Sequence, residues 1–147
     1  MPIVPARFFC DTSYFYACLD ARDKHCLKAR EIAQYTAANR LILCTTWDII
    51  SETITLLRYH LNYEMSLRFI EEVVPLLELI YLDASVHNAA IEVFKKTGRK
   101  IKLSYCDALS FVAVTTVLDN VPCLSFDSDF QKLGLNIFRL PGDTTRE

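Results

Sequence analysis

The chain has 147 residues, 52% of them hydrophobic and 23% charged, with a formal net charge of -2. That length suits one domain able to bury about 68–70% of its unfolded surface, and the composition excludes a disordered or polycationic chain. It has three glycines, Gly98, Gly134 and Gly142, and none before residue 98, which excludes a Walker A loop, a dinucleotide-binding fingerprint and a G-x-S-x-G nucleophile elbow.

Short β-type runs alternate with longer stretches of helical period, the pattern of an α/β fold around a parallel sheet. The first predicted strand is Arg7–Cys10, followed by helices over Thr12–Leu19 and Lys24–Ala38. A second strand, Leu41–Thr45, leads into helices over Thr46–Leu61 and Tyr63–Val74. Pro75 breaks the chain before a third strand at Leu79–Leu82, although Leu76–Leu82 could also extend the preceding helix. Helices follow over Ser85–Thr97 and Ser104–Leu118, the latter apolar on nearly every side and therefore expected to be buried. Strands at Cys123–Phe126 and Asn136–Leu140 enclose a short turn at Asp129–Leu133, which brings the expected sheet to five strands. Residues 1–141 read as the domain and Gly142–Glu147 as a frayed tail.

The six cysteines each sit in or beside an apolar run, and none pair as C-x-x-C. With no signal-peptide layout at MPIVPARFF, reduced and mostly buried thiols are expected, with no zinc site. No apolar run approaches the roughly 18–20 residues that a membrane span needs. A soluble, cytoplasmic protein is the expectation.

Three acids stand at the margins of apolar segments: Asp11 after RFFC, Asp127 after PCLSF, and Asp107 at the start of the buried helix. In an open α/β sheet, ligands bind beyond the carboxyl ends of strands where the winding reverses, and Asp11 and Asp127 would occupy such ends. Local roles compete with this reading. Asp11 and Asp127 can each cap a following helix, Ser104-x-x-Asp107 fits a capping box, and Thr45-x-x-Asp48 fits another. Glu52 borders an apolar face beyond the first helical turn, and Arg58 is not at ion-pair spacing from it, so a solvated surface role is its competing reading. Burying several carboxylates together without basic partners is costly unless a divalent cation joins them. Oxygen-only ligation selects Mg²⁺ or Mn²⁺, and metal-assisted phosphodiester hydrolysis is the chemistry implied.

The segments FFCDTSYF (8–15), TTWDIISETITLL (45–57), LSYCDALSFVAV (103–114) and CLSFDSDFQKLGL (123–135), in that order, resemble the PIN-domain ribonucleases. In its compact size the chain resembles the VapC-type toxins of toxin–antitoxin pairs. The resemblance implies a three-layer fold, with a five-stranded parallel sheet flanked by helices. It places Asp11, Glu52, Asp107 and Asp127 on the family's acidic positions, with Asp129 as a rival to Asp127 for the metal. The expected metal ligands are then Asp11, Asp107, Asp127 and Asp129. It further implies cleavage of single-stranded RNA with Mg²⁺ or Mn²⁺, a homodimer, and inhibition by a partner antitoxin. The region Thr46–Val74 is the expected dimer or antitoxin surface on the same ground. A PIN-like RNA-processing nuclease, or a non-catalytic binding scaffold, is the alternative. A phosphatase with Asp11 as nucleophile is disfavoured because Ser13 stands where that chemistry wants a second Asp.

Lys95, Lys96, Arg99, Lys100 and Lys102 concentrate in KKTGRKIK without an acid. They are candidates for holding an RNA backbone, against the simpler reading of a solvated loop. Phe8, Phe9, Tyr14, Phe15 and Tyr16 are expected in the core, and His25, His60 and His87 receive no role. With Asp11, Glu52, Asp107, Asp127 and Asp129 set aside, 13 acids of the 18 face 16 bases. The small negative total thus conceals a mildly basic body.

Overall fold

A computed structural model describes residues 6–143. Strand β1 (Arg7–Cys10) runs into helix α1 (Thr12–Leu19), and α2 (Cys26–Ala38) returns the chain to β2 (Ile42–Thr45). Helices α3 (Trp47–His60) and α4 (Tyr63–Arg68) pack on each other as a hairpin, and a π turn at Phe69–Val73 and a 3₁₀ turn at Val74–Leu76 lead to the short β3 (Glu78–Leu79). Then come α5 (Ala84–Thr97), α6 (Tyr105–Val112) with a π turn at Ala113–Val117, β4 (Cys123–Leu124) and α7 (Ser128–Lys132).

All strand pairs are parallel, in the order β3-β2-β1-β4. The sheet therefore has four strands, not the five expected. The predicted fifth segment reaches the sheet only through a bridge between Cys123 and Ile137, held by Cys123 N to Asn136 O at 2.7 Å and Phe138 N to Cys123 O at 2.9 Å. With β4 only two residues long, its outer side offers too short an edge for a longer ladder.

β1 is central and its Phe8, Phe9 and Cys10 are all buried, because a parallel strand covered on both faces is apolar throughout rather than alternating. Phe15, Ile49, Ile50, Leu57, Phe69, Leu124 and Phe130 complete the main core around it. A smaller cluster joins Ala90 of α5 to Ala108, Leu109 and Val112 of α6. The predicted helix over Ser104–Leu118 is buried along Ala108–Ser110 and Val112–Val114, yet Thr116 and Val117 reach the surface where the π turn ends. All six cysteines are free thiols. No helix among the described residues is long and apolar enough to cross a membrane. In the proposed tail, the Asp143 amide bonds the Leu140 carbonyl and its carboxylate meets Lys28 at 3.0 Å, while residues 144–147 lie outside the described residues.

With few glycines, the chain makes tight reversals with other residues: Arg40, Asp119 and Asn120 take φ values of 53°, 54° and 59°. The Asp119–Asn120 pair turns the chain into β4, and polar Asp and Asn side chains tolerate that left-handed geometry better than most.

Because β2 and β3 lie on one side of β1 and β4 on the other, the winding reverses between β1 and β4. Beyond the carboxyl ends of that strand pair lies the crevice in which ligands bind in open α/β sheets.

Candidate active site: an acid-lined cleft at the strand switch

Asp11 leaves β1 at this crevice and is only 3% exposed. It occupies the N-cap position of α1, but its side chain does not cap the helix; the Asp11 carbonyl instead receives the Tyr14 amide at 3.2 Å. The carboxylate is held by hydroxyls. Ser13 Oγ donates to Asp11 Oδ2 at 2.7 Å and Ser125 Oγ donates to the same oxygen at 2.9 Å. Each hydroxyl in turn accepts a backbone amide, Ser13 from Phe126 at 2.9 Å and Ser125 from Asp127 at 3.1 Å. This chain of bonds ties the end of β1 to the end of β4 and fixes one carboxylate oxygen. Oδ1 has no hydrogen-bond partner among the described residues.

Burial pushes the Asp11 carboxyl up to about 6, against the two serine hydroxyls, and the Asp107 and Asp127 charges push in the same direction as burial. Asp107 is likewise raised, chiefly by burial. It does form the expected capping box: Ser104 N donates to Asp107 Oδ2 at 2.9 Å, and Asp107 N donates to Ser104 Oγ at 3.0 Å. One oxygen is thus anchored at the start of α6 while the side chain borders the cleft, so capping and cleft roles coexist. Asp127 behaves alike, capping α7 by accepting the Asp129 amide at 2.9 Å. The second expected box does not form. Thr46, not Thr45, caps α3 by accepting from Ile49 N, because Thr45 still belongs to β2 and donates its hydroxyl to the Cys10 carbonyl at 2.9 Å.

Asp11, Glu52, Asp107 and Asp127 line one open cleft of about 340 Å³. Glu52, Leu56 and His60 reach it from α3 at successive turns of one helix face. No lysine or arginine is among the described residues lining it. Carboxylate oxygens of Asp107, Asp127 and Asp129 lie within 4.8 Å of one another, a spacing that a single cation could bridge. Asp129 is shared, since Lys132 approaches it at 3.6 Å. Asp11 and Glu52 share the cleft without joining that closest trio. The donor set is all oxygen, and it suits a hard divalent cation.

Several participants carried no sequence signal that was used. Ser13 is legible only as the third residue of Asp-x-Ser, a spacing at which a hydroxyl can reach back to a carboxylate. Cys106 lies near Glu52, and burial together with the neighbouring carboxylates pushes its thiol up. Tyr16, expected in the core, is half-buried, borders the cleft and donates its hydroxyl to Asp20 at 2.8 Å, whereas Phe8, Phe9, Tyr14 and Phe15 are buried as expected. His25, His60 and Phe126 also line the cleft. Lys95, Lys96, Arg99, Lys100 and Lys102 do not; they flank the turn from α5 to α6.

A parallel sheet with a strand switch, and acids converging there from the end of β1, α3, α6 and the β4–α7 junction, define the class: an α/β domain with an acid-lined cleft at the switch point. Residues 8–135 match the PIN domain family model, and the chain belongs to the PIN-domain family. It is similar to a VapC ribonuclease of Archaeoglobus fulgidus, with 32% identity over 123 residues that cover 82% of this chain and 76% of the relative. Among solved structures it resembles Mycobacterium tuberculosis VapC20, a toxin that cleaves the sarcin–ricin loop, at TM-score 0.76 and 22% identity over 90% of this chain and 99% of that one. It also resembles VapBC2 of Rickettsia felis, a complex bound to a promoter DNA fragment, at TM-score 0.67 and 12% identity over 90% and 97% of the two chains. At these identities the structural matches speak for the fold.

Proposed function

We propose that this protein is a metal-dependent endoribonuclease that hydrolyses phosphodiester bonds of single-stranded RNA, and that it is the toxin of a toxin–antitoxin pair. The observation that carries the reading is the convergence of Asp11, Glu52, Asp107 and Asp127 on one cleft lined by no lysine or arginine among the described residues. Carboxylates gathered in this way repel one another and the substrate alike unless a cation is bound, so the arrangement costs stability without one. Similarity to a VapC ribonuclease supports the choice of RNA. The VapBC complexes among the structural relatives support an antitoxin partner.

In this reading Asp11, Asp107, Asp127 and Asp129 would hold Mg²⁺ or Mn²⁺, with the last three forming the closest group of oxygens. The chemistry such an ion supplies is activation of water and neutralisation of charge on the phosphate in an in-line displacement. The protein's own residues do the positioning. Ser13 and Ser125 hold one oxygen of Asp11, which leaves the other to point at the reaction centre. Glu52, on a separate helix, is placed to orient the attacking water and accept its proton. Lys95, Lys96, Arg99, Lys100 and Lys102 lie outside the cleft, where they would hold the RNA backbone at a distance from the chemistry. The exposed hairpin of α3 and α4 is the surface we assign to a second copy or the antitoxin.

The decisive test is cleavage of single-stranded RNA by the purified chain. Activity should require Mg²⁺ or Mn²⁺ and vanish with EDTA, and Asp11→Asn should lower the rate at least about a thousandfold, about 4 kcal/mol at 1.36 kcal/mol per decade. Full turnover in that variant would refute the assignment. A scaffold would show no cleavage and no rise in melting temperature on adding Mn²⁺, whereas the nuclease should show both.

A further inference from the structure

On one wall of the acid-lined cleft the His25 imidazole and the Phe126 ring stack face to face, with centroids 4.5 Å apart and planes 6° from parallel. The two rings come from opposite ends of the chain. His25 starts α2, with its amide fixed by Asp23 Oδ1 at 2.8 Å, and Phe126 lies between β4 and α7. Both residues are half-buried and line the cleft. Phe126 is also tied to the site, because its amide donates to Ser13 Oγ at 2.9 Å and Ser13 in turn holds Asp11. The pair thus stands two hydrogen bonds, through Ser13, from the most buried carboxylate of the cleft.

Behind this wall lies a second cleft of about 370 Å³, which His25 and Phe126 also line. Its charged groups are Lys28, Asp143 and Arg139. Lys28 and Asp143 neutralise each other at 3.0 Å. Arg139 is exposed and has no salt bridge or side-chain hydrogen bond to any described residue. An aromatic ridge therefore lines two clefts, one acidic and one with a guanidinium that has no partner among the described residues.

We infer that the His25–Phe126 pair is a stacking platform for the nucleobase next to the scissile phosphate, and that Arg139 meets the following phosphate of the same strand. The inference rests on the RNA reading above and adds a subsite to it. A pre-stacked pair presents a rigid π surface at little ordering cost, and stacking accepts any base because every base has a π face. Splayed bases of single-stranded RNA are commonly held on aromatic and histidine rings in this manner. An intact duplex cannot offer a free base face to the ridge, so the arrangement also selects for single strands.

The test is fluorescence anisotropy with Ca²⁺ in place of Mg²⁺ or Mn²⁺, so that the acids are neutralised, and with two probes, a short oligoadenylate and an abasic ribose-phosphate oligomer of equal length. The wild-type protein should bind oligoadenylate about tenfold more tightly than the abasic probe. His25→Ala should abolish that preference while His25→Phe keeps it, a pattern that a purely structural role would not produce. Arg139→Gln should weaken both probes alike and lower the salt slope by about one. If His25→Ala keeps the full preference, or if a wild-type protein that cleaves RNA shows none, the platform is overturned and the nuclease reading stands. If the wild-type protein neither binds nor cleaves RNA, both fall together.

Discussion

Helix α1 separates two clefts of nearly equal size and opposite chemistry. Thr12, Ser13 and Tyr16 face the acid-lined cleft of about 340 Å³, whereas Tyr14, Phe15, Cys18 and Leu19 face an apolar one of about 330 Å³. In the apolar cleft Thr36 satisfies its own hydroxyl at the Ala33 carbonyl, 2.9 Å away, so no strong polar demand is left open. In the acidic cleft Asp11 keeps one oxygen without a partner and is raised by burial. The apolar face gains stability from removal from water and carries no chemistry. The acidic face loses stability in the same process, and that loss is what a cation can relieve.

The largest stability effect is expected on the apolar face. Phe15 is buried with its ring 5.2 Å from Phe69, so Phe15→Ala should destabilise the fold by about 3–5 kcal/mol in urea denaturation. A loss under about 1 kcal/mol would mean that this side is not the rigid one.

On the acidic face the sign reverses. The Asp11 carboxyl titrates near 6 in the folded chain, above the ordinary value of about 3.9 in the unfolded one. Below the unfolded value both states are protonated and nothing is lost. As pH rises towards 6 the unfolded state gives up its proton first, so stability falls, by on the order of 3 kcal/mol from this group. Metal-free protein should accordingly be more stable at pH 5 than at pH 7 as far as Asp11 decides it. Asp11→Asn should flatten that dependence and raise the metal-free melting temperature, even as it removes activity. A variant less stable than wild type at pH 7 without metal would contradict the picture of Asp11 as a buried cost.

The smallest effect separates capping from chemistry at Asp107. Ser104→Ala removes the hydroxyl that caps α6 and should cost about 1 kcal/mol in thermal denaturation. Cleavage should persist, since Asp107 keeps its place on the first turn. Loss of activity far beyond that stability change would show that the cap also aims the carboxylate.

The residues differ in how far they could be read in advance. Asp11, Asp107 and Asp127 were legible because each stands at the margin of an apolar segment, and Glu52 only through the resemblance; the structure gathers all four in one cleft. The capping box at Ser104 is legible from local spacing, whereas the cap of α3 falls at Thr46, one residue beyond the Thr45-x-x-Asp48 spacing. That shift follows from β2: its last hydroxyl bonds across to β1, a contact between residues 35 positions apart that no local pattern reports. The fifth strand was overcounted because Asn136–Leu140 has strand composition, while ladder length depends on the neighbour's length. Ser13, Ser125 and the His25–Phe126 stack are long-range facts of the same kind.

By itself the sequence determined the alternation of strands and helices and the apolar core of β1, because these follow from periodicity and from the cost of leaving apolar side chains in water; the set of acids came from the resemblance to the PIN-domain ribonucleases. Only the tertiary structure decided which oxygen of Asp11 is held, which carboxylates lie within 4.8 Å of one another, and that the wall between the two clefts is aromatic. Those depend on the reversal of winding between β1 and β4, which brings residues more than a hundred positions apart into hydrogen-bond range.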